Sequence, residues 1–336
     1  MDAYSPALPS LRVAMDSELH RFLADRRAAV PDAAPLIYEI ERVLDAGGKR
    51  LRPAFCYWGY RAAGGSHSRP IVEASAALEL LHTFAIVHDD MMDRSLTRRG
   101  EPTTHAKHGS DFALLVGDLA LVLADAQFFA ADFDTPRLAA AFGAYSRMRQ
   151  EVIAGQYLDL AARDQDVDAD HARRVAVLKS ALYSVAEPLI IGATLSGADE
   201  NLIEGLRAFG VPLGEAFQLR DDILGTFGAP AEMGKPADSD IREGKRHLLY
   251  ALTLERLSGD DRARFIREWG GGDSLTEEQI ISLRTLIDGS GARRATEAAL
   301  AERVAEAERL LAAMTLPDDT RAALVDLGTA AVERSV

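Results

Sequence analysis

A long apolar segment that ends in a cluster of aspartates constrains this chain more than any other feature. From Pro70 onward the apolar residues recur at helical spacing, and no glycine or second proline interrupts them before His88-Asp89-Asp90-Met91-Met92-Asp93. These apolar positions are Ile71, Ala74, Ala77, Leu78, Leu81, Phe84, Ala85 and Ile86. The pattern predicts a long, mostly buried helix that carries carboxylates at its end, within a segment that extends to His105.

The spacing of these acids suits a cation. Asp89 and Asp93 are four residues apart and share a helix face, and Asp90 lies about 100° around the helix. Like charges at this spacing repel by roughly 0.2–0.5 kcal/mol, so a bound cation would relieve them. Carboxylates suit Mg²⁺, whose shell is commonly completed by water and substrate phosphates. The alternative is a solvated acidic helix end, since the chain contains 52 Asp and Glu residues.

A second acidic pair argues against a merely solvated acidic helix end at Asp89. Asp221 and Asp222 end the string Gln218-Leu219-Arg220-Asp221-Asp222, which follows another apolar run at helical spacing. Two helices that each present aspartates to one cavity could hold several divalent ions, and a diphosphate would fit between those ions.

Five strings in register resemble the trans-isoprenyl diphosphate synthases, the polyprenyl synthetase family. They are Gly47-Gly48-Lys49-Arg50-Leu51-Arg52-Pro53, Leu80-Leu81-His82, Asp89-Asp90-Met91-Met92-Asp93, Leu96-Thr97-Arg98-Arg99-Gly100 and Phe217-Gln218-Leu219-Arg220-Asp221-Asp222, and the match extends from about Pro35 to Tyr250. The resemblance implies an all-α fold, the isoprenoid synthase-type helical bundle around a deep central cavity. We expect residues 1–336 to form a single domain in which residues 1–33 are an accessory N-terminal helix.

The resemblance also implies the roles of individual residues. Metal binding would fall to Asp89, Asp93 and Asp221, and catalysis to these together with Asp90, Asp222, Lys179 and Gln218. Isopentenyl diphosphate would be bound by Lys49, Arg52, His82 and Arg99, with Arg50 as a further candidate. The allylic diphosphate would be bound by Arg98, Lys179, Lys235 and Lys245, with Ser180 and Gln218 nearby. The cofactor would be Mg²⁺, at about three ions per active site, with Mn²⁺ as an alternative.

Several of these residues have plainer interpretations. Gly47 and Gly48 are also a normal helix stop, and His82 suits a satisfied core position. The basic segment around Arg98 and Arg99 also suits a solvated loop. Gln156 and Asp159, on a helix expected from Arg137 to Ala162, suit either a pocket lining or a polar helix face.

Gly225 is the one clear departure from the family pattern. The second acidic motif often continues with two residues and a third aspartate, and here that position has no side chain. We expect metal binding to survive on Asp221 and Asp222. The loss also leaves open a non-catalytic partner that regulates an active synthase.

Composition excludes several other classes. The net charge of −14 disfavours nucleic acid as a partner, because phosphate backbones require a basic surface. One cysteine, Cys56, excludes an internal disulfide. No charge-free stretch of about 18 apolar residues and no signal-like N-terminus is present, so we expect a cytoplasmic protein without a membrane span.

The segment from Ser110 to Ala131 is apolar almost throughout, which indicates a helix buried on more than one side. Such a helix lies in the middle of a bundle or at a subunit interface. The resemblance favours the interface, and therefore a homodimer.

Product length should be set by the floor of the cavity. Phe84 lies five residues before Asp89, roughly 7 Å along the helix axis, and Ala85 beside it leaves space. This arrangement resembles short-chain geranylgeranyl diphosphate synthases of the archaeal type. The sequence thus favours a C20 product, with farnesyl diphosphate (C15) or longer chains as alternatives. A terpene cyclase, a further rival, would not need the elements at Gly47–Arg52 and Arg98–Arg99.

Overall fold

The computed structural model describes residues 8–163, 165–228 and 238–333 and is helical almost throughout, which confirms the all-α prediction. The helices are α1 (Leu8–Ala29), α2 (Ala34–Asp45), α3 (Leu51–Ala62), α4 (Arg69–Met92), α5 (Thr104–His108), α6 (Ser110–Ala130), α7 (Thr135–Ala161), α8 (Ala169–Ala176), α9 (Glu187–Ser196), α10 (Glu200–Phe227), α11 (Ser239–Glu243), α12 (Leu248–Arg256), α13 (Gly259–Glu268), α14 (Glu277–Ser290), α15 (Ala292–Ala313) and α16 (Asp318–Val332). Short 3₁₀ turns occupy Pro31–Ala33 and Gly272–Ser274, and a π-helix occupies Val177–Ala186. Lys235 lies outside the described residues.

The chain divides into two compact units. The first comprises residues 1–145, 188–204 and 315–327, and the second comprises residues 146–187, 205–314 and 328–336. The single domain expected from the sequence stays a prediction.

Helix α4 is the centre of the first unit. It packs along α6 and also against α1 and α3. The accessory helix α1 buries Leu11, Met15, Leu19, Phe22 and Leu23, and Val13 is exposed. Since the apolar face of α1 is covered, this helix is part of the core of the first unit.

Two glycines bring α3 and α9 into backbone contact. A Cβ at Gly59 would lie 2.0 Å from the carbonyl oxygen of Leu189, and one at Gly192 would lie 1.8 Å from that of Cys56. No larger residue fits at either position without moving the helices apart. Cys56 is fully buried here, which raises the pKa of its thiol to about 12.

Helix α6 is buried within the chain on one side only. Its inner side, with Ala113, Val116 and Ala120, is buried, whereas Leu115 and Val122 are 54% and 62% exposed. Leu114 and Phe129 are exposed as well. Within the chain α6 is therefore covered on one side only, which excludes the middle of a bundle, and the subunit interface expected from the resemblance stays a prediction.

The π-helix of the second unit packs closely against α10. A Cβ at Gly214 would lie 2.4 Å from the Cα of Ala181, and one at Gly210 would lie 2.7 Å from that of Ala186. The spacing of the two glycines places them one helical turn apart on one face of α10. A separate apolar core forms around Tyr250, Phe265 and Trp269, the side chains of which pack ring to ring.

Three helical segments of the described chain are long and apolar enough to cross a membrane, judged by length and composition alone. They are Arg69–Met92, Ser110–Ala130 and Ala169–Ser196. In that order, 78%, 44% and 67% of the most apolar 18-residue window of each segment is buried inside the protein. In Arg69–Met92 and Ala169–Ser196 most of the apolar surface is therefore covered by other parts of the chain. The absence of a membrane span stays a prediction.

A short hairpin follows α4, where the sequence predicted only a basic loop. Strand β1 (Thr97–Arg98) pairs antiparallel with β2 (Glu101–Pro102). The turn residues Arg99 and Gly100 have φ values of 54° and 79°, as a tight type I′ hairpin turn requires. Strands of two residues are too short to show an alternating sequence pattern, which is why they were not predicted.

Candidate active site

The carboxyl end of α4 places the three predicted aspartates at one end of the first unit. Asp90 is buried and Asp89 half-buried, and Asp93 caps the helix with its backbone N–H bonded to the carbonyl of Asp89. The hairpin holds Arg98 against them. Its Nε donates to Asp90 Oδ1 and Oδ2 at 2.8 and 2.9 Å, and its guanidinium lies 3.6 Å from Asp89 Oδ2.

The charges at this end of α4 hold each other in place. Burial acts to lower the pKa of Arg98, but the nearby carboxylates, Asp90 first among them, raise it above its ordinary value. Asp90 is therefore held by an arginine fork, while Asp89 and Asp93 share the helix face next to it. The roles expected from the sequence, with Asp89 and Asp93 as metal ligands and Asp90 beside them, stay a prediction.

A group of cationic side chains surrounds His82. Burial lowers the pKa of His82 well below its ordinary value, and the charges of Arg52, Arg99 and Arg98 lower it further. The pKa of Arg99 is also lowered, by burial and then by the other arginines. Positive charges that repel one another in a part-buried site are favourable for an anion, and a diphosphate with its several oxygens matches this need. The structure thus brings the charges of Arg52, Arg98 and Arg99 to bear on His82, and the separate roles expected for Arg98 and for the other three residues stay predictions.

The glycine pair does more than end α2. Gly47 and Gly48 have φ values of 101° and 139°, and the guanidinium of Arg99 donates to the carbonyl of Gly47. A Cβ at Gly48 would lie 3.1 Å from an Arg99 nitrogen. The turn therefore leaves room for Arg99, while Lys49 next to it is exposed.

Arg50 has a structural role that the sequence did not reveal. Its φ is 52°, and its buried guanidinium donates to Asp16 at 2.7 Å, to Glu79 at 2.9 Å and to the carbonyl of Leu44 at 2.8 Å. These contacts tie α1 and α4 to the turn. The expectation that Arg50 helps to bind diphosphate is not supported, because its donors are already used.

The second acidic cluster lies on α10 in the second unit. Asp222 is buried and accepts a hydrogen bond of 2.7 Å from Gln218 Nε2. Burial raises the pKa of Asp222 well above its ordinary value, with Asp240 and Asp221 raising it further. Carboxylates crowded in this way would be stabilised by a divalent cation.

Lysines and a glycine complete the second cluster. Lys179 lies on the π-helix and forms an ion pair with Asp159 at 2.7 Å, beside the buried Ser180. Asp159 is thus a partner of Lys179, which favours a pocket lining over a solvated polar face. Lys245 forms an ion pair with Asp240 at 3.1 Å. A Cβ at Gly225 would lie 2.1 Å from Asp240 Oδ2, so the side-chain space at residue 225 is filled by an acid that sequence reasoning missed.

The donor sets fit Mg²⁺ better than a metal held by protein alone. Among the described residues no group of three or more His, Cys, Asp or Glu side chains is arranged to hold a metal ion. Each cluster instead offers one or two adjacent carboxylates, and Mg²⁺ typically binds through such a pair together with water and substrate phosphates.

Phe84 and His88 form the other notable feature of α4. Their rings meet edge to face, 4.9 Å apart, and His88 Nε2 lies 3.2 Å from the carbonyl of Leu114 on α6. A Cβ at Gly117 would lie 2.2 Å from the imidazole. Gly117 therefore lets His88 lie against α6, which fixes the position of Phe84 beside it. Ala85 is half-buried next to Phe84.

Comparisons with known proteins identify the family of this chain. Residues 35–285 match the family model of polyprenyl synthetase. The chain is 36% identical to a (2E,6E)-farnesyl diphosphate synthase of Mycobacterium tuberculosis over 293 residues, which are 85% of this chain and 80% of the relative. It is also 36% identical to a geranylgeranyl diphosphate synthase of Sulfolobus acidocaldarius over 258 residues, 75% of this chain and 77% of the relative.

A solved structure is similar over nearly the whole chain. It is the geranylgeranyl pyrophosphate synthase from Corynebacterium glutamicum, complexed with isoprenyl diphosphate and magnesium, with a TM-score of 0.93 and 32% identity. The similarity covers 98% of this chain and 100% of that one. Sequence motifs, fold and comparisons lead to one conclusion: the chain belongs to the polyprenyl synthetase family of trans-prenyl diphosphate synthases and is a prenyltransferase.

Proposed function

We propose that this protein condenses isopentenyl diphosphate with an allylic diphosphate, head to tail and in the trans configuration, to give geranylgeranyl diphosphate. The observation that carries the C20 assignment is the position of Phe84, which lies on the Asp89 helix and is held by His88 against α6. A bulky ring here would end the space for the growing tail. The names of the relatives, farnesyl and geranylgeranyl diphosphate synthase, keep a C15 product as the second candidate.

The proposed reaction uses the aspartates and cations predicted from the sequence. Asp89, Asp93 and Asp221 would hold about three Mg²⁺ ions, or Mn²⁺ in their place, with Asp90 and Asp222 supporting them. When bound, Mg²⁺ withdraws negative charge from the allylic diphosphate and so favours cleavage of its C–O bond. Arg98, Lys179, Lys235 and Lys245 would hold the departing diphosphate. Lys49, Arg52, His82 and Arg99 would orient isopentenyl diphosphate, the double bond of which attacks the allylic cation.

Proton transfer completes the proposed condensation. After the new C–C bond forms, one proton leaves the isopentenyl-derived carbon next to the cation, and the departing diphosphate accepts it. The lowered pKa of His82 keeps this imidazole neutral at pH 7, so it can orient the second diphosphate by donating an N–H without taking part in that proton transfer. Ser180 and Gln218 would line the site near the allylic group.

The test is a product assay with the purified protein. Mg²⁺, isopentenyl diphosphate and, in turn, dimethylallyl, geranyl or farnesyl diphosphate are supplied, and the products are separated by chain length. We expect C20 as the longest main product with each primer. A main product of C15 would replace the geranylgeranyl assignment, and no condensation with any primer would favour the non-catalytic partner.

Phe84→Ala tests the floor directly. We expect this variant to extend the product beyond C20, because the side chain that ends the tail is removed, and the matched control Phe129→Ala on the exposed side of α6 to leave chain length unchanged. If Phe84→Ala gives the same product distribution as the wild type, the proposed floor is wrong.

A homodimer in the cytoplasm is the proposed form of the enzyme. An exposed apolar side of α6 is formed by Leu114, Leu115, Val122 and Phe129. Such a patch would be buried if a second copy of the chain packed against it, which supports the dimer. Light scattering coupled to size-exclusion chromatography should give a mass of about twice the 36.4 kDa chain, and Val122→Glu should shift it towards the monomer. A wild-type mass equal to one chain would contradict the dimer.

A further inference from the structure

A buried glutamate on α2 contacts the helix that follows the Arg98 hairpin, residues 95–103. Glu39 is 4% exposed. It accepts hydrogen bonds of 3.0 and 2.9 Å from Arg42 on the same helix and one of 3.0 Å from the hydroxyl of Thr104. Burial acts to raise the pKa of Glu39, but the hydrogen bonds from Arg42 and Thr104 lower it below its ordinary value. The side chain is therefore a carboxylate at neutral pH.

The carboxylate of Glu39 binds α5 at both ends. Thr104 is the first residue of α5 and His108 is the last. His108 Nε2 lies 3.2 Å from Glu39 Oε2, and Lys107 Nζ lies 3.7 Å from the same atom. A helix of five residues has little stability of its own. Contacts with its neighbours, among them Glu39, therefore determine where α5 lies.

The Arg98 hairpin has little packing of its own. Thr97, Gly100, Glu101 and Pro102 are exposed, and a pair of two-residue strands is marginally stable by itself. Residues of α2, α4 and the hairpin line a small cavity between these elements, so the hairpin is not closely packed against the two helices. Its position depends on how its two ends are held.

Hydrogen bonds join the two ends of the hairpin to each other and to α4. The backbone N–H of Ser95 donates to the carbonyl of Asp90 at 2.9 Å. The hydroxyl of Thr103 donates to the carbonyl of Ser95 at 2.7 Å, and both Ser95 and Thr103 are buried. Thr104, which donates to Glu39, directly follows this closure. One end of the hairpin is thus fixed to α4, and the other is fixed through Thr104 to α2.

We propose that Glu39 is a positioning residue, which holds Thr104 and α5 and so sets where the hairpin places Arg98 and Arg99. The proposal rests on the proposed function, in which these two arginines bind the substrate diphosphates. A displacement of about 1 Å at a substrate-binding group can lower the rate by about 10²-fold. Glu39 therefore acts on the reaction through the hairpin, without contact to substrate.

The alternative is that Glu39 only stabilises the fold through its ion pair with Arg42. That pair lies within one helix, whereas Thr104, Lys107 and His108 belong to α5. A buried ion pair also adds little stability over well-packed apolar residues of similar volume. The contacts with α5 are thus the ones that give the cluster an effect beyond α2.

Hydrogen exchange of the hairpin tests the proposal without reference to catalysis. Peptides that cover residues 95–104 are followed by mass spectrometry in wild type, Thr104→Val and Thr104→Ser. Valine cannot donate to Glu39, whereas serine keeps the hydroxyl. We expect exchange to be about 10-fold to 100-fold faster in Thr104→Val, the usual effect of losing one hydrogen bond to a charged group, and to stay within about 3-fold of wild type in Thr104→Ser.

Glu39→Gln tests the carboxylate itself. Exchange in residues 95–104 should again become faster, because the charge that binds Thr104 is lost. The matched control is Glu41→Gln on the same helix, which removes a charge paired with Arg27 and should leave this exchange unchanged. Unchanged exchange in Thr104→Val, or equally faster exchange in α2, α4 and the hairpin, would overturn the proposal. The Thr104 variants decide the question even if Glu39→Gln does not fold.

Steady-state kinetics of the Thr104 variants separate positioning from folding. A loosely held hairpin should raise KM for isopentenyl diphosphate and for geranyl diphosphate by about 10-fold in Thr104→Val, with a smaller fall in kcat. Loss of folded protein alone would instead lower the apparent kcat and leave KM unchanged. Faster exchange with unchanged KM values would limit Glu39 to a role in folding and so contradict the proposal.

The two measurements also distinguish this proposal from the proposed function. A wild-type chain that makes no prenyl product would contradict the proposed function alone. Exchange in Thr104→Val and Thr104→Ser would still decide whether Glu39 holds the hairpin.

Discussion

The two acidic clusters solve the same problem of concentrated negative charge in different ways. On α4, Asp90 accepts hydrogen bonds from Arg98 Nε and lies 2.8 Å from its Nη2, and further cations surround His82. On α10, Asp222 faces Asp240 and Asp221, with Gln218 and Lys245 as the neighbours that favour its charged form. The first cluster is thus neutralised by the protein itself, whereas the second has an excess of carboxylate that a divalent ion would satisfy. This difference predicts that the second cluster depends more strongly on metal for its stability.

The largest expected effect would show that both clusters serve one reaction. Asp89→Ala and Asp221→Ala should each lower turnover by on the order of 10²-fold to 10³-fold, because each removes a preorganised group that acts on the leaving diphosphate. Steady-state assays with isopentenyl and geranyl diphosphate would measure this, and circular dichroism would verify folding. The exposed Asp326→Ala should keep full activity. Near wild-type turnover of Asp89→Ala or Asp221→Ala would contradict the claim that both acidic clusters serve this reaction.

A smaller effect is expected from the Arg98 fork. Arg98→Lys keeps the charge but loses the planar pair of donors to Asp90. We expect kcat/KM for the allylic substrate to fall about 10-fold to 100-fold, the effect of losing one or two charge-assisted hydrogen bonds. The KM for isopentenyl diphosphate should change less. Equal losses for both substrates would mean that Arg98 does not distinguish the two diphosphates.

The smallest expected effect concerns pH and the cationic group around His82. Below pH about 6.5 the unfolded chain protonates this histidine, while the folded protein with its lowered pKa does not. Stability therefore falls as the pH falls, by up to about 1.4 kcal/mol per pH unit until the folded pKa is reached. Urea unfolding of wild type and His82→Gln at pH 7.5 and 5.0 measures this loss of stability. The free energy of unfolding of wild type should fall more than that of the variant, and parallel changes would contradict the lowered pKa.

Much of the fold and part of the site could be predicted from the sequence. The helical spacing before Asp89 and the glycine pair after α2 are local signals, and the observed helix Ala34–Asp45 ends beside that pair. The grouping of Arg52, His82 and Arg99 came from the family resemblance, and the structure adds a turn in which Arg99 contacts Gly47.

The remaining features depend on contacts between distant residues. Arg50 has the same sequence signal as Arg52, and only its contacts with Asp16 and Glu79 show that its role is structural. Asp240 lies fifteen residues after Gly225, so no motif links the two. The exposed residues Leu114, Leu115, Val122 and Phe129 of α6 are as apolar as its buried ones, so hydrophobicity alone does not show which side is covered by its own chain.

The π-helix at Val177–Ala186 has a consequence for how this protein tolerates insertions and deletions. A π-helix generally arises where one additional residue is accommodated within a regular α-helix. Removing one residue between Ser180 and Ala186 would allow regular geometry, but it would turn Lys179 by about 100° relative to Gly210 and Gly214 on α10. Substitutions that keep the length of this segment should therefore be far better tolerated than any change in its residue count.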